Sequence, residues 1–160
     1  MSYFFSGFFQ LGYVTRDLDA ALAGWRERFG AIEFLVTEPA VIDGVAPPTR
    51  RIALAYIDAV MTEIIEPDPG QQTIYDDALA EDPGVIRLHH LGHLIDDHAA
   101  MLTRLATMGY DVPLHGTMPG ILDYSYADTR ADLGHFSEFI RLDEGGHAFF
   151  GAVPRITTTR

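Results

Sequence analysis

A chain of 160 residues is one domain by size, or two small modules sharing a core. Hydrophobic residues make up 48% of it, enough for a real core. The net charge of −12, with no basic block to override it locally, excludes nucleic acid and anionic lipid surfaces as partners. The absence of cysteine removes disulfides, thiolate metal sites and cysteine nucleophiles together.

The N-terminal run "MSYFFSGFFQLGY" is aromatic but lacks a basic leader and a long aliphatic stretch, so it reads as a strand and not as a signal peptide. No segment approaches the ~18 consecutive apolar residues of a membrane span. The cytoplasm is therefore the expected compartment. Next comes a helix. Leu18, Leu22, Trp25 and Phe29 recur at helical spacing, Asp17 is placed to cap its start, and Gly30 sits where a helix ends in left-handed geometry. "AIEFLV" (31–36) reads as a strand. After a proline-containing loop, "RIALAYIDAVMTEIIEP" (51–67) reads as a hairpin turning near Asp58 and Ala59. The polar stretch 68–84, with Asp-Pro-Gly at both ends, reads as a linker that could hold a short helix over 73–80.

The chain then repeats itself. "HHLGHLIDDHAAMLTRLATMG" (89–109) matches "FQLGYVTRDLDAALAGWRERFG" (9–30) at a constant offset of 80, through Leu11 and Leu91, Gly12 and Gly92, Asp17 and Asp97, Ala20 and Ala100, and Leu22 and Leu102. Asp96 or Asp97 caps the second helix, and Gly109 ends it. "YDVPLH" (110–115) reads as the following strand, and 123–142 as a hairpin turning around 130–134. The expectation is an α+β chain with a first βαβββ module over 8–67, the linker 68–84, and a second βαβββ module over 85–145.

Side chains alternate faces along a strand, so parity locates buried polar groups. His90 shares a face with Ile86, Leu88, Gly92 and Leu94, which are otherwise apolar, whereas His89 and His93 share the mixed face with Arg87 and Leu91. Glu138 lies on the parity of Phe136, Ile140 and Leu142, and Glu63 on that of Met61 and Ile65. A carboxylate among apolar side chains is costly unless a cation or strong hydrogen bonds pair with it. Gln10 stands at the repeat position of His90. Taken singly, each has a plain structural reading: His90 as a core-edge histidine, Gln10 as an amide satisfied in a cleft, Glu63 as a hydrogen-bonded interior carboxylate. Taken together, Gln10, Glu63, His90 and Glu138 form a donor set suited to one divalent metal such as Zn²⁺, Ni²⁺, Co²⁺, Mn²⁺ or Mg²⁺. His90 is then the ligand, with His89 and His93 as bystanders.

"LGYVTRDLDAALAGWRERFG", "HHLGHLIDDHAAML" and "GHFSEFIRL" resemble the vicinal oxygen chelate superfamily, which includes glyoxalase I, methylmalonyl-CoA epimerase, extradiol dioxygenases and bleomycin-resistance proteins. The resemblance runs from Phe8 to Leu142. It implies two βαβββ modules closing a half-open, eight-stranded barrel around one metal, with ligands at Gln10, Glu63, His90 and Glu138. This set resembles eukaryotic glyoxalase I. Bacterial members more often carry histidine at the first position, and epimerases tend to carry glutamine in place of the first glutamate. Iron dioxygenases use two histidines and a glutamate, a pattern from which Gln10 departs. The implied activity is a metal-dependent lyase or isomerase working through an enediolate or enolate, with Glu138, or secondarily Glu63, as catalytic base. Its substrate would be an oxo-acid, a thiol hemithioacetal or a CoA thioester. A non-catalytic binding protein of the resistance type is the alternative reading. The pseudo-twofold would bring Glu63 and Glu138 together. The open sheet edges and the apolar run Tyr3 to Phe9 point to a homodimer.

Overall fold

A computed structural model describes residues 6–30, 32–41 and 46–156. In chain order the elements are β1 (Phe8–Val14), α1 (Leu18–Phe29), β2 (Leu35–Thr37), β3 (Thr49–Ile57), β4 (Val60–Pro67), a 3-10 turn (Asp76–Ala78), β5 (Arg87–Leu94), α2 (His98–Met108), β6 (Leu114–Met118), β7 (Leu122–Ala127), α3 (Arg130–Leu133), β8 (Phe136–Leu142), α4 (Glu144–Gly151) and β9 (Arg155–Ile156). The fold is α+β. It divides into two compact units, one of residues 1–10 and 90–152 and the other of residues 11–89 and 153–160, so the boundary passes through β1 and β5. Among the described residues no helix is long and apolar enough to cross a membrane.

In the unit of residues 11–89 and 153–160, β3 pairs antiparallel with β2 on one side and with β4 on the other, and β9 runs parallel to β3. The expected hairpin turn is present at Asp58, which takes φ 53. One face of this sheet carries Ala53, Ala55 and Ile64, which pack with Leu18 and Leu22 of α1 and with Phe34. The small alanines are what let the helix approach. The start of α1 is tied down twice. The Asp17 side chain accepts from the Ala20 N–H at 3.0 Å, a cap worth about 1 kcal/mol. Buried Glu66 on β4 accepts from the Leu18 N–H at 3.2 Å while Arg51 holds the same carboxylate at 2.7 Å. Gly30 has a positive φ of 102 with an extended ψ of 162, and so is not the left-handed stop expected.

In the unit of residues 1–10 and 90–152, β5 pairs parallel with β8, and β8, β7 and β6 follow as antiparallel neighbours. Asp97 caps α2 through the Ala100 N–H at 2.9 Å, and Gly109 ends it in the left-handed region at φ 81. Leu105 of α2 packs on Ala127 and Phe139. Three expectations shift here and in the linker. The strand read over 110–115 begins only at Leu114, because Pro113 has no N–H to give to a ladder. The turn read at 130–134 is the short helix α3, closed by the Gly134 N–H donating to Arg130 O at 2.9 Å. In the linker, the helix read over 73–80 contracts to the 3-10 turn Asp76–Ala78. The Asp76 carboxylate accepts from the Thr73 N–H and hydroxyl and so starts the turn there. The strand read over 31–36 is Leu35–Thr37, with residue 31 outside the described residues. Helix α4 and strand β9 lie beyond the sequence reading.

The Asp123 carboxyl on β7 is held below the usual carboxylate range, first by the Thr117 hydroxyl and then by Arg141, each donating at 2.7 Å. A depressed folded-state value contributes stability above the unfolded value and loses it as pH falls through the folded one. Asp123→Asn should therefore cost stability at pH 7, and the gap from the parent should close as pH drops below about 4, as read by urea unfolding at several pH values.

Helix α4 enters against backbone. A Cβ on Gly146 would collide with the Ile121 carbonyl oxygen, whereas one on Gly151 would meet nothing within 4 Å. Gly146→Ala should cost about 1–3 kcal/mol in urea unfolding, while Gly151→Ala should be neutral or slightly stabilising. Equal effects would contradict this packing.

Candidate metal-binding site

The unit of residues 1–10 and 90–152 places three of the four sequence-selected donors on two parallel-paired strands and the start of β1. His90 is 0% exposed and Glu138 5%. In the β5–β8 ladder His90 stands beside Phe136, and Gly92 beside Glu138. His90 Nε2 lies 3.2 Å from Glu138 Oε2, within ion-pair distance but outside hydrogen-bond geometry, and that carboxylate oxygen makes no hydrogen bond. Two ligand atoms in adjacent positions around a metal at about 2.1 Å stand roughly 3 Å apart, so this spacing suits a shared ion. Gln10 is buried on β1, and its side chain crosses Gly92. A Cβ at Gly92 would collide with the Gln10 amide oxygen, so the glycine shared by both repeats makes the room for this donor.

Tyr126 on β7 completes the wall. It pairs in register with Glu138, is buried, and meets the His90 ring edge-on with centroids 5.0 Å apart. Tyr124, two residues earlier on the same face, packs across Gly116, where a Cβ would come within 2.9 Å of its hydroxyl. Burial and then the nearby Glu138 charge push the Tyr124 phenol above its ordinary value, so it stays protonated as a donor at neutral pH. Sequence reading passed over both tyrosines. Their alternation in "DYSYA" was the available signal, since it puts them on the parity opposite Ser125 and Ala127.

Glu63 belongs to the other unit. It is buried on β4, paired in register with Leu54, on the face opposite the α1 core. Glu63, His90 and Glu138 are buried groups of the kinds able to hold a metal ion.

The histidines set aside as bystanders are not solvent-facing. His89 and His93 are both buried. His89 Nε2 is 3.1 Å from the Ile74 carbonyl oxygen, with its ring 4.9 Å from Tyr75, which anchors the linker. His93 stacks on Phe139 at 5.5 Å. The face called mixed is thus the helix-side core, while Leu88, on the parity of His90, is 47% exposed. Parity separated the faces but not their cover, because the linker lies on His89 and Phe139 on His93.

A model of the glyoxalase/bleomycin resistance protein/dioxygenase superfamily matches residues 9–127. The chain belongs to this superfamily. Among solved structures, methylmalonyl-CoA epimerase from Mycobacterium tuberculosis aligns at 16% identity over 92% of this chain and 95% of that one, with a TM-score of 0.62. A variant Streptomyces coelicolor methylmalonyl-CoA epimerase in complex with 2-nitronate-propionyl-CoA aligns at 17% identity over 86% and 98%, TM-score 0.61. A methylmalonyl-CoA epimerase in complex with methylmalonyl-CoA and NH4+ aligns at 19% identity over 88% and 96%, TM-score 0.60. At these identities the likeness concerns the superfamily fold. No functionally curated protein matches the sequence.

The crossing of Gln10 over Gly92 is open to a direct test. Gly92→Ala alone should cost about 1–3 kcal/mol, and much less in a Gln10→Gly background, where both the colliding amide and the Gln10 Cβ are gone. A double-mutant cycle by urea unfolding measures this. Additive costs would place Gln10 elsewhere.

Proposed function

We propose that this protein is a divalent-metal-dependent lyase or isomerase in which Gln10, Glu63, His90 and Glu138 hold one metal ion, and a glutamate moves a proton between adjacent carbons of a small acyl substrate. The observation that carries the reading is the His90–Glu138 pair, buried together at 3.2 Å with a carboxylate oxygen that makes no hydrogen bond. Leaving a charge in that state is costly, and a cation offsets the cost. An amide oxygen, two carboxylates and an imidazole fit Zn²⁺, Ni²⁺, Co²⁺, Mn²⁺ or Mg²⁺. The reading requires Glu63 of one unit and Glu138 of the other to share the ion.

A bound metal supplies Lewis-acid stabilisation of the charge that develops on a substrate carbonyl oxygen. The remaining work falls to the chain. Glu138, with Glu63 as the second candidate, takes the proton from the carbon beside the carbonyl and returns it to a neighbouring carbon or to the other face. Gln10 adds a donor without adding charge, and Tyr126 closes the wall beside His90. The methylmalonyl-CoA epimerases among the fold neighbours make a CoA thioester the first substrate to try, ahead of thiol hemithioacetals and oxo-acids. The protein acts as a homodimer in this reading. Phe8, an apolar side chain 46% exposed at the start of β1, supports a covering partner, while Tyr3 to Phe5 of the same aromatic run lie outside the described residues.

Chelator-stripped protein should take up about one equivalent of Mn²⁺ or Zn²⁺, measured by elemental analysis after gel filtration. His90→Ala, Glu138→Gln and Glu63→Gln should each weaken that binding at least tenfold, whereas His93→Gln, checked by melting for intact folding, should not. Protein that binds no metal, or a His90→Ala variant that binds as the parent does, overturns the reading. Metal-loaded protein that exchanges no substrate proton with D2O in any of the three substrate classes would instead be a binding module.

A further inference from the structure

The Glu63 face of the second unit carries a cation from the far end of the chain. Strand β9 is only two residues long, and hydrogen bonds at both of its ends tie it to β3. Tyr56 N–H donates to Pro154 O at 2.8 Å, and Asp58 N–H to Ile156 O at 2.8 Å. The parallel register sets Arg155 beside Tyr56. The guanidinium carbon of Arg155 lies 3.7 Å from the centroid of the Tyr56 ring, which is 7% exposed, while Arg155 itself is exposed. On β4, Met61 stands opposite Tyr56 and Glu63 opposite Leu54. Arg155, Tyr56, Met61, Leu54 and Glu63 therefore share one face of the sheet, while the other face packs against α1.

The chain is acidic and has no lysine, so its Lys/Arg positions are all arginine. Arg51, Arg130 and Arg141 are each paired with carboxylates at 2.7–3.0 Å. The Arg155 side chain makes no hydrogen bond or ion pair with any described residue, and its guanidinium lies over the tyrosine ring. Stacking of this kind covers the flat face of the guanidinium and leaves its N–H edge free. It also restricts the side chain before any ligand arrives, which lowers the entropy cost of a later bidentate contact. Carboxylate and phosphate oxygens are the partners that this edge fits.

We propose that Arg155 recognises an oxyanion of the substrate, a carboxylate or a phosphate, at the rim of the Glu63 face, with Tyr56 as the platform that holds it in position. The inference rests on the proposed function only in taking the Glu63 face as the substrate's. On a flat sheet, two strands and two residues separate Arg155 from Glu63, about 12 Å between Cα positions. The anion is thus bound apart from the reacting carbon, and Arg155 is a specificity residue and not a proton carrier.

Calorimetric titration separates the two oxyanion sources. Malonate presents carboxylates alone and coenzyme A presents phosphates, and each is titrated with and without added Mn²⁺. The parent should bind at least one of them. Arg155→Ala should weaken that probe at least tenfold and flatten its salt dependence. Arg155→Lys should recover part of the loss, Tyr56→Leu should lose several-fold, and Arg28→Ala should match the parent. Unchanged melting temperatures for the Arg155 variants exclude a merely structural effect. Which probe responds identifies the anion. Parent and Arg155→Ala binding both probes within twofold of each other, or a parent that binds neither, overturns the proposal. Failure to bind Mn²⁺ with oxyanion binding intact overturns only the metal reading.

Discussion

Burying His90 against Glu138 is the constraint on which the rest of the first unit turns. A carboxylate removed from water loses several kcal/mol of solvation unless charge or hydrogen bonds replace it. Here one oxygen has only an imidazole nitrogen at 3.2 Å, in a geometry that is not a hydrogen bond. The surroundings hold this arrangement in place. β5 and β8 pair in parallel, so their register sets the spacing of the two side chains. Tyr126 packs against the imidazole edge-on, and Gly92 is bare so that Gln10 can reach across. Arrangements that resist collapse to ordinary hydrogen bonding are what a site needs if its oxygens are to be available to a ligand.

The helices hold the opposite faces of the strands. Each helix packs on an apolar cluster, Ala53, Ala55 and Ile64 under α1, and Ala127 and Phe139 under α2. Beside these cores sits a cross-strand ion pair at the same place in each repeat. Arg51 on β3 faces Glu66 on β4, and Asp123 on β7 faces Arg141 on β8. The signs are exchanged. Glu66 also accepts from the first N–H of α1, a favourable position for a negative charge at a helix start. Arg141 cannot do this, and α2 relies on Asp97 alone for a side-chain cap. The two copies thus keep one architecture while their helices are anchored by different chemistry.

Much of this was legible in the sequence, for a definite reason. The match at an offset of 80 marked two copies of one module, Asp17 and Asp97 were recognisable as caps, and the Asp58 turn was recognisable from its flanking alternation. Strand alternation also grouped Glu63 with Met61 and Ile65, and His90 with Gly92. What failed were element bounds set by single side chains and the cover that distant segments give a strand face. Pro113 delayed β6, and the Asp76 carboxylate shortened the linker helix. Alternation placed His89 and His93 on a mixed face but could not show that both are buried, His89 beside the linker and His93 on Phe139.

The sequence by itself determined the main helices and strands, the repeat and the face on which each polar side chain stands, because periods of 2 and 3.6 residues are properties of the local backbone. Only the tertiary structure decided what covers each face. It set Tyr126 against His90, Gln10 over the bare Gly92, and Arg155 on Tyr56 about a hundred residues away in the chain. Burial and pairing depend on which distant segment packs there, and no local pattern encodes the identity of that segment.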